Sequence, residues 1–339
     1  MSLFFYRSEL LIIPVDRGLK MLDADLIKSK AIELGADCAG ITRSHSVPHR
    51  DRFRLWLKNR YAGDMEYLSR MQDERFDPSI LFPGAVSIIV IGLNYFFDDH
   101  DRFETKRQFR VAGYARGEDY HRVIRRILKR LRSFLNRIEP SIKGRICVDT
   151  APFIDKYWAQ HAGLGWIGKH TNLVSRDFGS WLLLGSLIVN TEFDEYDKPH
   201  KNHCGNCTVC LESCPTKAFP EQYILDATKC ISYWTIESKS SKIPGEIGRN
   251  MNRWVFGCDI CLRACPFNRF EKPCRTKALE YRNETSMLET GQVLELSEDQ
   301  FNLKYKSSPI SRPRLSGIIR NINAAQYNNN NGRQISGMY

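Results

Sequence analysis

Cys204-Gly205-Asn206-Cys207-Thr208-Val209-Cys210-Leu211-Glu212-Ser213-Cys214-Pro215 spells C-x2-C-x2-C-x3-C-P. Bacterial iron–sulfur proteins hold paired cubes with this spacing. Three thiolates spaced by two residues wrap one 4Fe–4S cube, and the fourth, on the following turn, points to a second. Pro215 stiffens the chain as it leaves. A shortened copy follows, with Cys258, Cys261 and Cys265 before Pro266. In the crossed arrangement Cys265 completes the set of Cys204, Cys207 and Cys210. Cys214 then joins Cys258 and Cys261, and that second set is one ligand short. Spacing alone leaves Cys230 and Cys274 as candidates for it. Zinc also accepts four cysteines, but two runs that each have a ligand to exchange favour two clusters. Two neighbouring cubes form a one-electron relay.

The rest of the composition agrees with a metal role for these residues. The 339-residue chain has 11 cysteines, an odd number, most of them between positions 204 and 274. A disulfide framework would spread them and prefer an even count. Cys38, Cys147 and whichever of Cys230 and Cys274 is left over read as small buried hydrophobes. The longest apolar runs, 85–93 and 181–189, fall far short of the ~20 residues of a membrane helix. Arg7 and Glu9 interrupt the first apolar stretch and no cleavage site follows, so a cytoplasmic protein is expected. With 42% apolar and 26% charged residues the chain is globular. Its 50 Lys and Arg against 39 Asp and Glu leave a charge of +11, which favours a polyanionic partner.

Residues 85–94 form a β-branched run after Pro83-Gly84 and predict a buried strand. Residues 122–138 predict the best helix. Val123, Ile124, Ile127, Leu128, Leu131, Phe134, Leu135 and Ile138 make one stripe, with six Arg and Lys largely off it. Further strands are expected at 144–148 and 181–190, so the N-terminal half reads as α/β or α+β. The expected organisation is an N-terminal extension (1–20), a catalytic α/β domain (21–199) and a two-cluster domain (200–275). A C-terminal helical segment (276–325) and a disordered Asn-rich tail (326–339) complete it.

Three stretches of the N-terminal half carry candidate chemistry. Asp149 follows a short strand, where a carboxylate reaches a crevice or merely caps a turn. A general acid there needs a raised pKa. Gly163-Leu164-Gly165-Trp166-Ile167-Gly168-Lys169-His170 has a phosphate-loop rhythm but matches neither nucleotide fingerprint. Asp119, Tyr120 and His121 lie where the basic helix starts, as a cap or as a pocket edge.

Taken together these stretches resemble the epoxyqueuosine reductase family. The matches are Gly63-Asp64-Met65 with Arg75 and Pro78, Leu93-Asn94-Tyr95, Gly117 to His121, Val148 to Pro152 and Ala162 to His170. The cluster cysteines, Cys230 to Tyr233 with Thr235 to Glu237, and Phe256 to Asp259 continue the series over residues 22 to 325. The resemblance implies a nitroreductase-like cobalamin-binding domain followed by a ferredoxin-like domain with two 4Fe–4S clusters. It implies reduction of epoxyqueuosine to queuosine at the wobble position of tRNA, an epoxide becoming an alkene with its oxygen leaving as water. The cofactor would be cobalamin, as cob(II)alamin, fed one electron at a time by the clusters.

Carried over by position, Asp149 would be the proton donor. Arg75, Ala112, Leu173, Ser175, Leu184, Ser232, Cys258 and Asp259 would contact cobalamin, with Asp149. Asp119, Tyr120 and His121 would border the substrate pocket. Cluster one would use Cys204, Cys207, Cys210 and Cys265, and cluster two Cys214, Cys230, Cys258 and Cys261. A corrinoid D-x-H-x-x-G signature is absent, because Ile124 stands where its glycine would; the family needs no lower histidine ligand. The expected partners are tRNA and a low-potential donor of flavodoxin or ferredoxin type, acting on a monomer. Arg125, Arg126, Lys129, Arg130 and the segment 239–249 are the candidate phosphate contacts. Longer family members carry a HEAT-like extension that has no counterpart here.

Three rivals make different expectations. A corrinoid reductive dehalogenase predicts an organohalide substrate and an exported twin-arginine precursor. A plain ferredoxin-type electron carrier predicts iron without cobalt, and a zinc-stabilised RNA-binding module predicts zinc.

Overall fold

The structure, a computed structural model, describes residues 21–98, 108–282, 285 and 287–326. The expected extension 1–20 and the tail beyond Gln326 lie outside the described residues. In chain order the strands are β1 (Cys38–Arg43), β2 (Ser87–Asn94), β3 (Gln108–Val111), β4 (Gly144–Cys147), β5 (Trp166–Ile167), β6 (Leu173–Val174), β7 (Leu182–Val189), β8 (Trp254–Phe256) and β9 (Met287–Glu289).

The β-branched run forms β2, and all of its residues are buried. It reads as continuous because both faces are covered. Ile89, Ile91 and Leu93 pack towards the helices Ala24–Glu33 and Tyr120–Ile138, while Ile88 and Val90 pack with Trp158 and Ala159 of the helix Asp155–His161. The sheet order is β1-β2-β7-β4 with every pair antiparallel. Of the two fold readings, α+β is therefore the one that describes this sheet.

The long helix starts two residues before the predicted 122, because the Asp119 carboxylate accepts from the His121 backbone N–H. Val123, Ile124, Ile127, Leu128, Leu131 and Leu135 of its stripe are buried, whereas Ile138, at the last turn, is 40% exposed. Arg125, Arg126, Lys129 and Arg130 lie on its exposed side.

Sheet and helix meet closely at glycines. A Cβ on Gly40 would stand 1.9 Å from the Ala162 carbonyl oxygen. Gly40→Ala is expected to destabilise the fold by at least ~1–3 kcal/mol, as overpacking does. A lowered midpoint in thermal unfolding followed by circular dichroism would show it.

A second sheet, β8-β3-β9, joins elements from both sides of residue 200, with β3 parallel to β8 and antiparallel to β9. Around it Phe109, Val111, Ile231, Trp254, Phe256, Phe301, Ile318 and Ile322 form a second core. The weakly helical C-terminal segment supplies the helices Glu298–Tyr305 and Arg314–Gln326. Ser297 and Gln300 cap the first reciprocally. Asn321 of the second donates to the carbonyls of Thr235 and Val255, both at 2.8 Å. Among the described residues no helix is long and apolar enough to cross a membrane.

Candidate functional site

The cysteines gather into two groups. Cys210 lies within electrostatic reach of Cys265, Cys204 and Cys207, and burial with these neighbours pushes its thiol up to about 11. Cys258, Cys261, Cys230 and Cys214 form the second group. Cys261 also senses Cys210, so the groups are neighbours. Cys274 is elsewhere: its N–H donates to the Phe96 carbonyl at 2.8 Å and its thiol lies near Asp37. Burial pushes the Cys38 and Cys147 thiols up to about 12, as inert packing residues require.

Crowded thiols that raise one another's pKa suit a cationic core that deprotonates them. Two adjacent groups of four thiols, carrying the spacing of the paired-cube motif, fit two 4Fe–4S cubes.

The glycine-rich stretch 163–170 clasps the cysteine module rather than cradling a phosphate. Gly165 lets the backbone approach Val174, where a Cβ would stand 2.2 Å from the carbonyl oxygen. Trp166, fully buried, donates its indole N–H to Cys204 Sγ at 3.4 Å. Lys169 Nζ donates to the Gly205 carbonyl at 2.7 Å. His170 is buried with Nδ1 accepting from Asn172 N–H, and burial drives its pKa down to about 4, so it is a neutral ring.

Asp149 sits just past β4 at φ +46°. This left-handed conformation is one that Asp adopts more readily than most residues. It turns the carboxylate towards the long helix. Asp149 Oδ2 is 3.2 Å from His121 Nε2, and His121 Nδ1 is 2.7 Å from Asp119 Oδ1. Tyr120 also hydrogen bonds to Asp149, and its ring stacks on His121 at 4.1 Å between centroids. Burial alone would raise the Asp149 pKa, but His121, Arg312 and Tyr120 outweigh it and hold the carboxyl below its usual range. Burial likewise opposes the His121 charge, yet the two carboxylates lift its pKa to about 9. At neutral pH the proton of this couple therefore rests on His121. The raised pKa expected of an isolated acid at position 149 is not what the structure has.

Asp149 faces a cavity of about 600 Å³ whose wall carries Cys214, Cys230, Cys258 and Cys261 with Ser232 and Asp259. A second cavity of about 720 Å³ is lined by Arg75 and Leu184. Tyr120, Asp149, Lys156, Leu182, Leu183, Glu237 and Arg312 line both. Their walls also hold buried polar atoms with no hydrogen-bond partner among the described residues, namely Arg75 Nε, Asp155 Oδ1 and His170 Nε2. Apolar walls with scattered unpaired donors and acceptors fit a corrin ring fringed with amides. Ala112, Leu173 and Ser175 are buried and line neither cavity. Ala112 pairs with Phe256 through its backbone, and the Ser175 hydroxyl accepts from Asp177 N–H at 3.2 Å. Asp259 is buried and accepts from Gly113 N–H at 2.7 Å.

Other cavity residues were not legible as site residues. Asp155 and Lys156 follow the Asp149 motif by less than two helical turns. Burial and the nearby Asp149 push the Asp155 carboxyl up to about 7. Lys156 Nζ donates to the Thr171 carbonyl at 3.0 Å and to Asn172 Oδ1 at 2.7 Å. Arg312 arrives from the C-terminal segment and pairs with Glu237 at 2.9 Å. Glu237 ends the Thr235-Ile236-Glu237 stretch of the family resemblance, while Arg312 carries no sequence signal.

Both halves of the site lie in stretches that known families match. The family model described as "Epoxyqueuosine reductase QueG, DUF1730" matches residues 75–150. A "4Fe-4S double cluster binding domain" model matches residues 203–268. The epoxyqueuosine reductase of Cellulophaga algicola is 39% identical over 300 residues, covering 88% of this chain and 96% of that protein. That of Prochlorococcus marinus is 37% identical, covering 88% and 95%. A solved epoxyqueuosine reductase with an epoxyqueuosine-modified tRNA-Tyr stem loop superposes at TM-score 0.83 and 29% identity, covering 90% of this chain and 80% of that one. The Bacillus subtilis reductase, in a form with its catalytic aspartate loop swung out of the active site, gives 0.83 and 28%, covering 90% and 81%. The chain belongs to the epoxyqueuosine reductase family.

Proposed function

We propose that this chain reduces epoxyqueuosine to queuosine at the wobble position of tRNA anticodons, with cobalamin and two 4Fe–4S clusters as cofactors. The observation that carries the reading is the juxtaposition of the Asp149–His121 couple and the second cysteine group on one cavity, in a chain of this family. The dehalogenase, plain electron-carrier and zinc-module readings have no comparable support.

Cobalamin, when bound, supplies electrons to the epoxide carbon. Arg75, Leu184, Ser232, Cys258 and Asp259 would hold it, and Ala112, Leu173 and Ser175, buried outside both cavities, are the remaining candidates. Cys204, Cys207, Cys210 and Cys265 would bind cluster one, and Cys214, Cys230, Cys258 and Cys261 cluster two. The reaction consumes two electrons and two protons per epoxide and releases water. Asp149 protonates the departing oxygen, because an alkoxide leaves poorly, and His121 Nε2 replenishes it. Asp119, Tyr120 and His121 border the base. An anticodon loop can splay that base into the cavity, while exposed Arg125, Arg126, Lys129 and Arg130 meet phosphates. The enzyme works in the cytoplasm as a monomer supplied by a low-potential electron carrier.

The couple sets the pH dependence. It keeps its proton until the pH passes the His121 pKa of about 9, so turnover is expected to fall above that point. In His121→Gln the remaining acid is Asp149, which titrates lower, so the falling limb should move to lower pH. A single-turnover pH profile reads this, and an unmoved limb would remove His121 from the relay.

The cellular test is nucleoside mass spectrometry of tRNA from cells lacking the gene, with and without a plasmid copy. Epoxyqueuosine should accumulate in the deletion and queuosine return with the plasmid. Normal queuosine in the deletion strain, with no other reductase present, would sink the proposal.

A further inference from the structure

The two cysteine groups differ in access. The second lies on the wall of the Asp149 cavity. The first reaches the surface, where Cys204 and Cys207 are partly exposed beside Gly205, Asn206, Thr208 and Val209, the last 46% exposed. Electrons bound for the cavity therefore have their entry at the first group.

The surface there is cationic and aromatic. The Trp166 indole, hydrogen-bonded to Cys204, packs against His200, His203 and Phe267 at 5.3, 5.0 and 4.7 Å between ring centroids. Phe267 leads to Phe270 at 6.2 Å, and Phe270 is 42% exposed. The Arg269 guanidinium lies 4.7 Å over the Phe270 ring. Arg176, Lys201 and His200 all act electrostatically on His203, and Arg176, Lys201 and Arg269 are exposed. Of the neighbouring acids, Asp177 faces Lys272 at 3.7 Å, while Glu212 and Glu271 accept from the neutral Thr208 hydroxyl and Trp181 indole and keep their charge, so the exposed Arg176, Lys201 and Arg269 still outnumber the uncompensated acids.

We propose that the face built from Arg176, Lys201, His203, Arg269 and Phe270 over Cys204 and Cys207 docks a flavodoxin-type electron carrier. The proposal rests on the two-cluster reading above. Charge complementarity selects a small acidic protein. The exposed Phe270 and the aromatic path behind it match the planar apolar edge that a bound flavin presents. An RNA backbone would satisfy the cations but has no use for a path into Cys204. In each encounter a single electron passes from the flavin hydroquinone to an oxidised cluster and leaves the flavin semiquinone; a neutral hydroquinone gives up its N1 proton to solvent in the same step. Two encounters supply one epoxide.

The test uses the reconstituted full-length enzyme and its Lys201→Glu/Arg269→Glu variant. Photoreduced flavodoxin is mixed with each anaerobically, and cluster bleaching is followed by stopped flow. Titration with oxidised flavodoxin gives the Kd. Wild-type bleaching should slow with added salt. The variant should bleach about tenfold more slowly at low salt, with a correspondingly weaker Kd, because losing steering charges acts on encounter. Bleaching by dithionite, tRNA affinity and dithionite-driven turnover should stay at wild-type values. Flavodoxin kinetics and Kd unchanged in the variant would overturn the proposal. So would a loss of tRNA affinity with flavodoxin kinetics intact, which would make this an RNA face. Bleaching of the wild type by a ferredoxin but not by flavodoxin would overturn the named occupant. If the reconstituted wild type carries neither iron nor cluster absorption, the two-cluster reading itself has failed, and the docking site with it.

Discussion

Asp149→Asn is expected to slow product formation by ~10²–10⁴-fold, the usual worth of a positioned general acid, while iron and cobalt content stay at wild-type values. Asparagine keeps the volume of the side chain and tolerates the φ of +46° at this turn. It can still meet Tyr120 and His121, so the turn should survive. What it cannot do is pass the proton that His121 holds to a departing oxygen. With one carboxylate gone, the His121 pKa should also fall from about 9, because half of its opposing charge is lost. Single-turnover rates and the pH dependence of the variant measure both effects. A rate within a few-fold of wild type would move the acid role to another cavity group, of which Asp155 is the nearest in character.

Cys230→Ser should be as damaging by a different route. It removes one thiolate from the group on the cavity wall, so iron per chain should fall from about eight atoms to about four. Electrons would then stop at the first group, and turnover should be lost with dithionite as with any other reductant. Cys274→Ser should leave both iron and turnover unchanged, because that thiol lies by Asp37 and Thr276, apart from both groups. Iron analysis with electron paramagnetic resonance of the reduced proteins separates the two variants. The reverse pattern would exchange the roles of Cys230 and Cys274.

These two residues also mark where sequence reading stops. Cluster spacing is a local code, so seven cysteines could be grouped from their intervals alone. The eighth could not, because Cys230 and Cys274 flank the second run and only tertiary packing separates them. The strand 87–94 was legible because burial on both faces leaves an unbroken apolar run. Asp149 was legible as a strand-end carboxylate, but its protonation was not. That depends on His121, a helix start brought against it by the packing of the helix Tyr120–Ile138 on β7 and β4. Arg312 comes from a segment whose helical pattern was weak. Its helices are held by a core shared with β3 and β8 and not by a strong stripe of their own. The stretch 163–170 had the rhythm of a phosphate loop because glycines serve any close backbone approach; here the approach is to Val174 and to the cysteine module.

The most direct test of the central claim is anaerobic turnover by the reconstituted protein. Enzyme carrying iron and cobalt is incubated with dithionite and tRNA bearing epoxyqueuosine, and the nucleosides are then weighed. Conversion to a nucleoside lighter by one oxygen atom, absent without cobalamin and at most faint in Asp149→Asn, is the expected result. Unconverted epoxyqueuosine with both clusters and cobalamin demonstrably bound would contradict it.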